Sequence, residues 1–224
     1  MSEAARTENA EQLPPGIGVR LRNARVQTGL SARAFARELG VSPSLISQIE
    51  LGKAVPSVGT LYAIVTRLGI SLDELFFDAE RTEMSAAASA RPGTRAHVNG
   101  DGIVQRAAER RTIDLANGVS WERLTPDHDY DVDFLSVTYD VGAESCPADA
   151  LMTHSGKEYG LVLEGRLGAT VGFRSYELVA GDSIAFESAV PHRFWTIGGV
   201  PCVVAWTIVG RQGDSRFPGG RAST

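Results

Sequence analysis

The side chains of Ser44, Ser47 and Gln48 are of the types that hydrogen-bond to the edges of nucleic-acid bases. A serine hydroxyl donates to or accepts from several base edges, and a glutamine amide can bind adenine through two hydrogen bonds. The apolar residues around them recur at helical spacing, which turns one face inward and leaves these three polar residues outward. That inward set comprises Ala36, Leu39, Val41, Leu45, Ile46 and Ile49. We therefore expect a helix here whose exposed polar face can enter a major groove.

Basic residues near this helix have the chemistry to neutralise the phosphates of a nucleic acid. Residues 17–53 contain six Lys or Arg and two acidic residues, a local net charge of +4 in a chain whose total is −5. We expect phosphate contacts from Arg25, Arg33 and Lys53, because such contacts supply much of the affinity for DNA. Ser31 is expected at the start of a helix, where free N–H groups and the helix dipole favour an anion.

Capping residues predict where the short helices of this region begin and end. Gly29 and Gly40 suit the left-handed conformation that closes a helix at its C-terminus. Ser42 followed by Pro43 is a strong helix start, since the hydroxyl accepts an orphan N–H and proline lacks one. The predicted helices cover about residues 18–28, 31–39, 43–51, 57–68 and 71–77.

Residues 30–76 resemble the helix-turn-helix domains of the XRE type, which are similar to phage repressors. The resemblance rests on a pattern that spans the whole unit, namely Ala36, Gly40, Val41, Ile46, Glu50, Gly52, Pro56 and Leu61. It implies a five-helix bundle over residues 16–78 that binds double-stranded operator DNA. It also implies base contacts at the positions of Ser42, Ser44, Ser47 and Gln48. Because the exposed face of the third helix lacks arginine and asparagine, we expect DNA shape to contribute to recognition.

The second half of the chain has the pattern of an all-β domain. From about residue 102, short segments rich in Val, Ile, Phe, Tyr and Trp alternate with Gly, Pro and Asp, which is typical of an antiparallel sandwich or barrel. Residues 79–101 are small and polar and predict a linker, while 1–15 and 211–224 predict tails, the first of them disordered. The fold class expected is therefore α + β in two domains, with the β domain over residues 102–210.

Two segments of this β domain, residues 154–165 and 181–192, resemble the two motifs of the cupin family. In that family the first motif carries two histidines spaced by one residue and then a glutamate, and the second motif carries another histidine. The resemblance matches the second histidine, the glutamate and the late histidine to His154, Glu158 and His192. It implies an all-β cupin barrel with these side chains pointing inward.

Met152 stands where the cupin family has its first histidine, and a thioether is a weak ligand for hard ions. Two imidazoles and a carboxylate can still hold Zn, Fe, Mn or Ni with open positions for a ligand. Alternatively, the three residues line a cavity and hydrogen-bond to an organic effector. The expected ligand pocket comprises Met152, His154, Glu158, Tyr159, His192 and Phe194.

Composition excludes several other classes of protein. Two cysteines, Cys146 and Cys202, are too few for a disulfide framework or a zinc finger, so we expect both to be buried small hydrophobes. No apolar run reaches the roughly eighteen residues needed to cross a bilayer, and the polar N-terminus is unlike a signal peptide. Residues 101–210 carry sixteen acidic residues against eight basic ones, unlike the basic N-terminal region. We expect a soluble, cytoplasmic protein without a membrane partner.

The combined signals favour a sequence-specific transcription regulator, expected to be a repressor and not an enzyme. A homodimer through the cupin domain is expected, because one helix-turn-helix buries too little surface for tight specific binding. The barrel is expected to sense a small-molecule effector or a metal. Two alternatives remain open: a cupin metalloenzyme of the dioxygenase or isomerase type with an attached DNA-binding domain, and a barrel used only for dimerisation.

Overall fold

The structure, a computed structural model, describes residues 13, 15–70, 72, 75, 102–127, 129 and 131–210 of the 224-residue chain. The predicted linker and the C-terminal tail lie outside the described residues. Of the predicted N-terminal tail, Leu13 is buried in the hydrophobic core, so the expectation of a disordered tail is wrong at this residue.

Four α-helices with defined bounds form the N-terminal region: α1 Ile17–Gln27, α2 Ala32–Glu38, α3 Pro43–Glu50 and α4 Val58–Leu68. Each begins and ends within about two residues of its predicted position. The predicted fifth helix, 71–77, lies mostly outside the described residues. Leu72 and Leu75 are helical and buried, but the five-helix count stays a prediction.

The predicted capping chemistry accounts for these bounds. The hydroxyls of Ser31 and Ser42 each accept the backbone N–H of the residue three positions on, at 3.1 Å. Gly29 and Gly40 follow the helix ends with φ of 74° and 68°. This left-handed conformation is strained for a residue with a Cβ atom but not for glycine. Local hydrogen bonds therefore place α3, the helix with the polar face.

The described residues of the C-terminal domain form nine strands: β1 Thr112–Leu115, β2 Val119–Arg123, β3 Val132–Tyr139, β4 Lys157–Glu164, β5 Arg166–Val171, β6 Arg174–Val179, β7 Ser183–Glu187, β8 His192–Thr196 and β9 Cys202–Val209. A six-stranded sheet has the order β1-β2-β3-β9-β4-β7, and a three-stranded sheet has the order β6-β5-β8, all antiparallel. The prediction of an all-β domain after a helical one is confirmed.

The core of the β domain includes inward side chains from both sheets. Val137 of β3 and Trp206 of β9 come from the larger sheet, and Leu167 of β5 and Phe194 of β8 come from the smaller one; all four are buried. Isolated bridges pair Glu144 and Met152 with β8, so the segment between β3 and β4 adds to the smaller sheet. The two cupin motifs therefore reach β4 and β8, which belong to different sheets and face the same barrel interior.

The helical and β domains pack directly against each other. The backbone N–H of Gly59, in α4, donates to the carbonyl of Ser145 at 3.2 Å, and the N–H of Ala116 donates to the carbonyl of Pro56 at 3.0 Å. Buried side chains of both domains belong to one continuous hydrophobic cluster. The sequence predicted two domains and a linker but not this contact.

Both cysteines match the expectation of buried, unpaired thiols. Burial raises the pKa of Cys146 and raises that of Cys202 to about 11, so both thiols stay protonated and unreactive near neutral pH. None of the described helices is long and apolar enough to cross a membrane.

Candidate functional site

The surface of α3 presents the predicted polar residues to solvent. Ser42, Ser44, Ser47 and Gln48 are all exposed, while Ile46 and Ile49 are buried beneath them. The remaining apolar residues predicted to face inward are buried or partly buried against the same core. The amphipathic helix predicted from spacing is confirmed.

Two of these serines already make a hydrogen bond within the helix. The Ser42 hydroxyl accepts from the Leu45 N–H at 3.1 Å, and the Ser47 hydroxyl donates to the Pro43 carbonyl at 3.0 Å. Because a hydroxyl has one donor and two acceptor positions, Ser42 can still donate and Ser47 can still accept. Both therefore retain the capacity to contact a base or a phosphate.

Three predicted phosphate contacts lie on the surface. Ser31, Arg33 and Lys53 are exposed, and Ser31 caps α2 while Lys53 follows α3. The Lys53 backbone N–H donates to the Gln48 carbonyl at 2.8 Å, which ties the base of its side chain to the end of α3. The structure therefore leaves all three side chains open to solvent.

Arg25 is not placed as predicted, because its guanidinium is used inside the domain. Its Nε and Nη2 atoms donate to the two carboxylate oxygens of Glu50 at 2.5 and 2.8 Å, and its Nη1 donates to the Leu30 carbonyl at 2.6 Å. Arg25 is only 8% exposed, and its hydrogen bond with Glu50 raises its pKa despite the opposing effect of burial. The expected phosphate contact is therefore wrong; Arg25 fastens α1 to the end of α3.

In the β domain, His154, Glu158 and His192 converge as the cupin resemblance implied. Nε2 of His154 lies 3.1 Å from Oε1 of Glu158, and Nε2 of His192 lies 3.2 Å from the same oxygen. Their potential ligand atoms all lie within 4.8 Å of one another, and all three side chains are buried. Glu158 projects from β4, His192 begins β8, and His154 lies just before β4, so the fold brings together residues 38 positions apart.

Backbone carbonyls orient the two imidazole rings. Nδ1 of His154 lies 3.0 Å from the Ser155 carbonyl, and Nδ1 of His192 lies 2.8 Å from the Val190 carbonyl. A carbonyl oxygen only accepts, so each Nδ1 donates, and Nε2 is the nitrogen that remains for a metal ion. Both Nε2 atoms and Glu158 Oε1 are buried and make no aligned hydrogen bond.

Glu158 is held as a carboxylate by its surroundings. Its Oε2 accepts the indole N–H of Trp206 at 2.8 Å. Burial acts to raise its pKa, but the interactions with His154, His192 and Trp206 together lower the pKa below its ordinary value. The pKa of His192 is also lowered, because burial disfavours the imidazolium more than Glu158 favours it. The Glu158 carboxylate therefore lies against the His192 imidazole, with 3.2 Å between Oε1 and Nε2.

This donor set fits a divalent cation. The three converging atoms are buried without a hydrogen-bond partner, and a cation among them would satisfy all three. The carbonyls behind both histidines are the outer partners that metal-ligating imidazoles ordinarily have. Met152 is buried, and its backbone exchanges two hydrogen bonds of 2.9 Å with His192, so it adjoins this set as the cupin resemblance implied.

Aromatic rings extend the site into the barrel. Phe194 is buried, with its ring centroid 5.7 Å from His192 and 4.6 Å from Trp206. Tyr159, in contrast, is 44% exposed and lies on the outer face of the sheet. Side chains alternate along a strand, so the inward position of Glu158 forces its neighbour outward. The prediction that Tyr159 lines the pocket is wrong.

A cavity of about 670 Å³ opens between β6 and β7, where the edges of the two sheets meet. Its lining does not include the six predicted pocket residues; it comprises Val171, Tyr176, Glu177, Leu178, Gly181, Asp182, Ser183, Ile184, Ala185 and Phe186. The Phe186 ring centroid lies 5.0 Å from that of His192. Phe186 thus lies between this cavity and the His154–Glu158–His192 cluster.

Tyr62, a residue of α4 in the helical domain, was not predicted at the site. Its ring stacks on the His154 imidazole, with 4.5 Å between centroids and 6° between planes. Trp121 packs edge-to-face with the same tyrosine ring at a centroid distance of 5.3 Å. No spacing pattern could reveal this contact, since it depends on how the two domains dock.

Comparisons with known families match both domains. The helix-turn-helix family matches residues 21–75, and the cupin domain family matches residues 135–208. The first match covers all but the last residue of the segment 30–76, and the second contains both cupin motifs. Both resemblances are therefore confirmed.

Known relatives match this chain over most of its length or over one part of it. The HTH-type transcriptional regulator PuuR of Escherichia coli is 29% identical over 184 residues, which is 82% of this chain and 88% of PuuR. YazB of Bacillus subtilis, an uncharacterized HTH-type transcriptional regulator, is 38% identical over 58 residues, 26% of this chain and 84% of YazB. A crystal structure of an HTH_3 family transcriptional regulator from Vibrio cholerae has a TM-score of 0.58 at 23% identity, covering 87% of this chain and 94% of that one. This last likeness supports the fold.

Proposed function

Because this chain is a helix-turn-helix transcription regulator of the XRE type with a cupin domain, we propose that α3 reads operator DNA under the control of the barrel. The observation that carries the proposal is the exposed polar face of α3, held in place by the buried Arg25–Glu50 ion pair. In this account the barrel binds a divalent metal ion or a small-molecule effector, and occupancy changes DNA affinity. We extend the proposal to repression, which a reporter gene behind the bound promoter would test.

The proposed interface divides into base contacts and phosphate contacts. Ser44, Ser47 and Gln48 reach bases in the major groove, with Ser42 at the helix start beside them. The phosphate contacts come from Ser31, Arg33 and Lys53. The test is selection of bound duplexes from a random library by the full-length protein, followed by titration at several salt concentrations. A protein that shifts no duplex at low ionic strength would contradict the proposal.

His154, Glu158 and His192 are the residues that would hold a metal ion in the barrel. Imidazole and carboxylate ligands suit Zn, Fe, Mn or Ni, and such an ion supplies an open coordination position for a second ligand. The chain's contribution is to keep the three donor atoms converged and dry. Elemental analysis and native mass spectrometry of purified protein would report the ion and any bound small molecule together. Loss of metal in His192→Ala, but not in a surface variant such as Glu187→Gln, is the expected result.

A small-molecule effector is supported by the cavity between β6 and β7. Its volume of about 670 Å³ lies within the range of known ligand sites. Apolar walls from Leu178, Ile184 and Phe186 combine with polar groups of Glu177 and Asp182, a mixture that both buries and orients a ligand. An effector bound there would approach His192 through Phe186. Leu178→Trp, which fills the cavity, is expected to abolish the effector's influence on DNA binding.

We propose that a second copy of the chain covers the outer face of the six-stranded sheet. Tyr159, Leu161 and Leu163 of β4 are 44%, 42% and 48% exposed, a row of large apolar side chains on one face. Strand register continues the row, because Tyr159 pairs with Thr207 and Thr207 pairs with Phe134, which is also exposed. A two-fold axis through this band would pair like surfaces and present two α3 helices to a palindromic operator.

The oligomeric state tests the dimer proposal. Light scattering at micromolar concentration is expected to give a dimer for the wild type and a monomer for Leu161→Glu. Phe173→Glu, at the fully exposed tip between β5 and β6, is the matched control and should remain dimeric. A monomeric wild type, or a dimeric Leu161→Glu, would contradict the use of this face.

The sensor proposal differs from the metalloenzyme alternative in what happens to the bound molecule. Glu158 is engaged by both histidines and by Trp206, so it is not a free general base. A dioxygenase or isomerase would convert a substrate in the presence of Fe(II) or Mn(II). A sensor would release its ligand unchanged while its DNA affinity changes. If neither metal nor ligand alters DNA affinity, the barrel serves only for dimerisation.

A further inference from the structure

We propose that Tyr62 positions the His154 imidazole, so that occupancy of the His154–Glu158–His192 cluster and docking of the helix-turn-helix domain on the barrel stabilise each other. The inference rests on the proposed function, because it assumes that this cluster binds a metal ion. It adds a physical contact through which binding at the metal site can affect the position of α3. The juxtaposition that carries it is the parallel stack of a DNA-binding-domain side chain on a barrel histidine at 4.5 Å.

The stack lies in a closely fitted interface. A Cβ atom added to Gly59 would lie 3.1 Å from Cγ of Met152 and 3.3 Å from Cβ of Cys146, so α4 approaches the barrel closely at this glycine and a side chain there would have to displace its neighbours. One turn further along the same helix, Tyr62 is 6% exposed between Trp121 and His154. The interface therefore fixes the Tyr62 ring against the barrel.

The His154 ring is held on two sides. The Ser155 carbonyl engages Nδ1 and the face of Tyr62 covers the ring plane, which leaves Nε2 directed at Glu158. Withdrawal of Tyr62 would remove the contact that restricts tilting of the ring. Since a metal ligand must be kept close to its bonding geometry, we expect weaker metal binding when the domain undocks.

The coupling also runs from the site to the domain. A cation bound at Nε2 draws electron density from the imidazole, which makes its face a better partner for the electron-rich ring of tyrosine. Because coupling free energies are reciprocal, a cation that binds more tightly to the docked state must favour docking. α3 belongs to the same helical unit as α4, so the docked state also sets the position of the DNA-reading helix relative to the barrel.

The test measures Zn²⁺ affinity of the full-length, metal-free protein by competition with a chromophoric chelator. Tyr62→Leu keeps a buried apolar side chain but removes the aromatic face, and Tyr62→Phe keeps that face. Gly59→Leu wedges the interface apart without changing Tyr62, and Thr66→Ala is a control at an exposed position of the same helix. We expect Zn²⁺ to bind about fivefold more weakly, or worse, to Tyr62→Leu and Gly59→Leu. Tyr62→Phe and Thr66→Ala should match the wild type.

Hydrogen exchange supplies a readout that a purely structural role would not move. Zn²⁺ should slow exchange of the α4 amides in the wild type and in Tyr62→Phe, but not in Tyr62→Leu. Equal Zn²⁺ affinity of the wild type, Tyr62→Leu and Gly59→Leu would overturn this inference and leave the metal site standing. A loss in Gly59→Leu alone would overturn the role of Tyr62. A wild type that binds no Zn²⁺ would overturn the metal site itself and the coupling with it.

Discussion

The DNA-reading face of α3 and the histidine cluster of the barrel are built in opposite ways. The α3 face is exposed, comes from consecutive residues, and is placed by caps such as Ser42, which bonds within its own helix. The barrel cluster is buried and joins His154 and Glu158 to the distant His192. The first region can adapt to a duplex that arrives from solvent, whereas the second is dry and preorganised. Recognition of a DNA duplex and binding of a metal ion therefore place different demands on the structure of one chain.

The largest effect is expected where the exposed region depends on a buried contact. Arg25→Met leaves the Glu50 carboxylate buried without its partner, and breaking such a pair costs about 3 to 5 kcal/mol. Urea denaturation should show this loss in the free energy of unfolding of the helical domain. Arg22→Met, at an exposed position of α1, should change it by less than about 0.5 kcal/mol. Equal effects would break the distinction between buried and exposed basic residues.

Removal of a metal ligand tests whether the buried barrel cluster binds a cation. Glu158→Gln replaces the anionic oxygen that both imidazole Nε2 atoms face. Because loss of even an outer partner weakens metal binding by about 10 to 100-fold, we expect at least a hundredfold loss of Zn²⁺ affinity. Chelator competition measures it, with Glu187→Gln as the exposed matched control. Wild-type Zn²⁺ affinity in Glu158→Gln would contradict the assignment of this cluster as the metal site.

A smaller effect is expected on the α3 face, where each side chain acts almost alone. Gln48→Ala removes a side chain that can pair with a base, a change worth about 1 to 3 kcal/mol of discrimination. Fluorescence anisotropy with the selected duplex and with single-base variants should show weaker binding and relaxed specificity at one position. Stability to urea should stay within about 0.5 kcal/mol of the wild type. A drop in stability instead would mean that Gln48 supports the fold.

The smallest effect concerns Lys53, which is proposed to contact phosphate and not bases. Lys53→Ala should weaken binding evenly across duplex sequences and reduce the salt dependence by about one phosphate contact. Titrations at four salt concentrations give that slope. Arg67→Ala provides a control, because Arg67 forms a surface ion pair with Glu38 at 2.6 Å on another helix. A change in base preference in Lys53→Ala would contradict its assignment to phosphate.

The elements could be predicted from sequence wherever their cause is local. Helix starts at Ser31 and Ser42 follow from hydrogen bonds to residues three positions on, so their prediction needed no tertiary structure. The two cupin motifs placed His154, Glu158 and His192 together because a family pattern already encodes the fold. The alternation of side chains along a single strand can also be predicted from sequence. With Glu158 facing inward, alternation places Tyr159 on the outer face of the sheet.

Other features depend on contacts that no local pattern expresses. Arg25 has the charge of a phosphate ligand, and only the packing of α1 against the end of α3 turns it toward Glu50. The stack of Tyr62 on His154 requires the docked arrangement of two domains. In the sequence, Tyr62 is one more apolar residue of a helix. A basic or aromatic residue therefore reveals its role only after its neighbours are known.

The most direct test of the central claim is the set of duplexes that the full-length protein selects from a random library, compared with the set selected by a Ser44→Ala, Gln48→Ala double variant. We predict that the wild type selects a palindromic motif whose half-sites lie about one helical turn apart. The double variant should lose base preference within each half-site while retaining its weak, salt-sensitive binding. Selection of the same motif by both proteins, or of no motif by the wild type, would contradict the assignment of α3 as the DNA-reading helix.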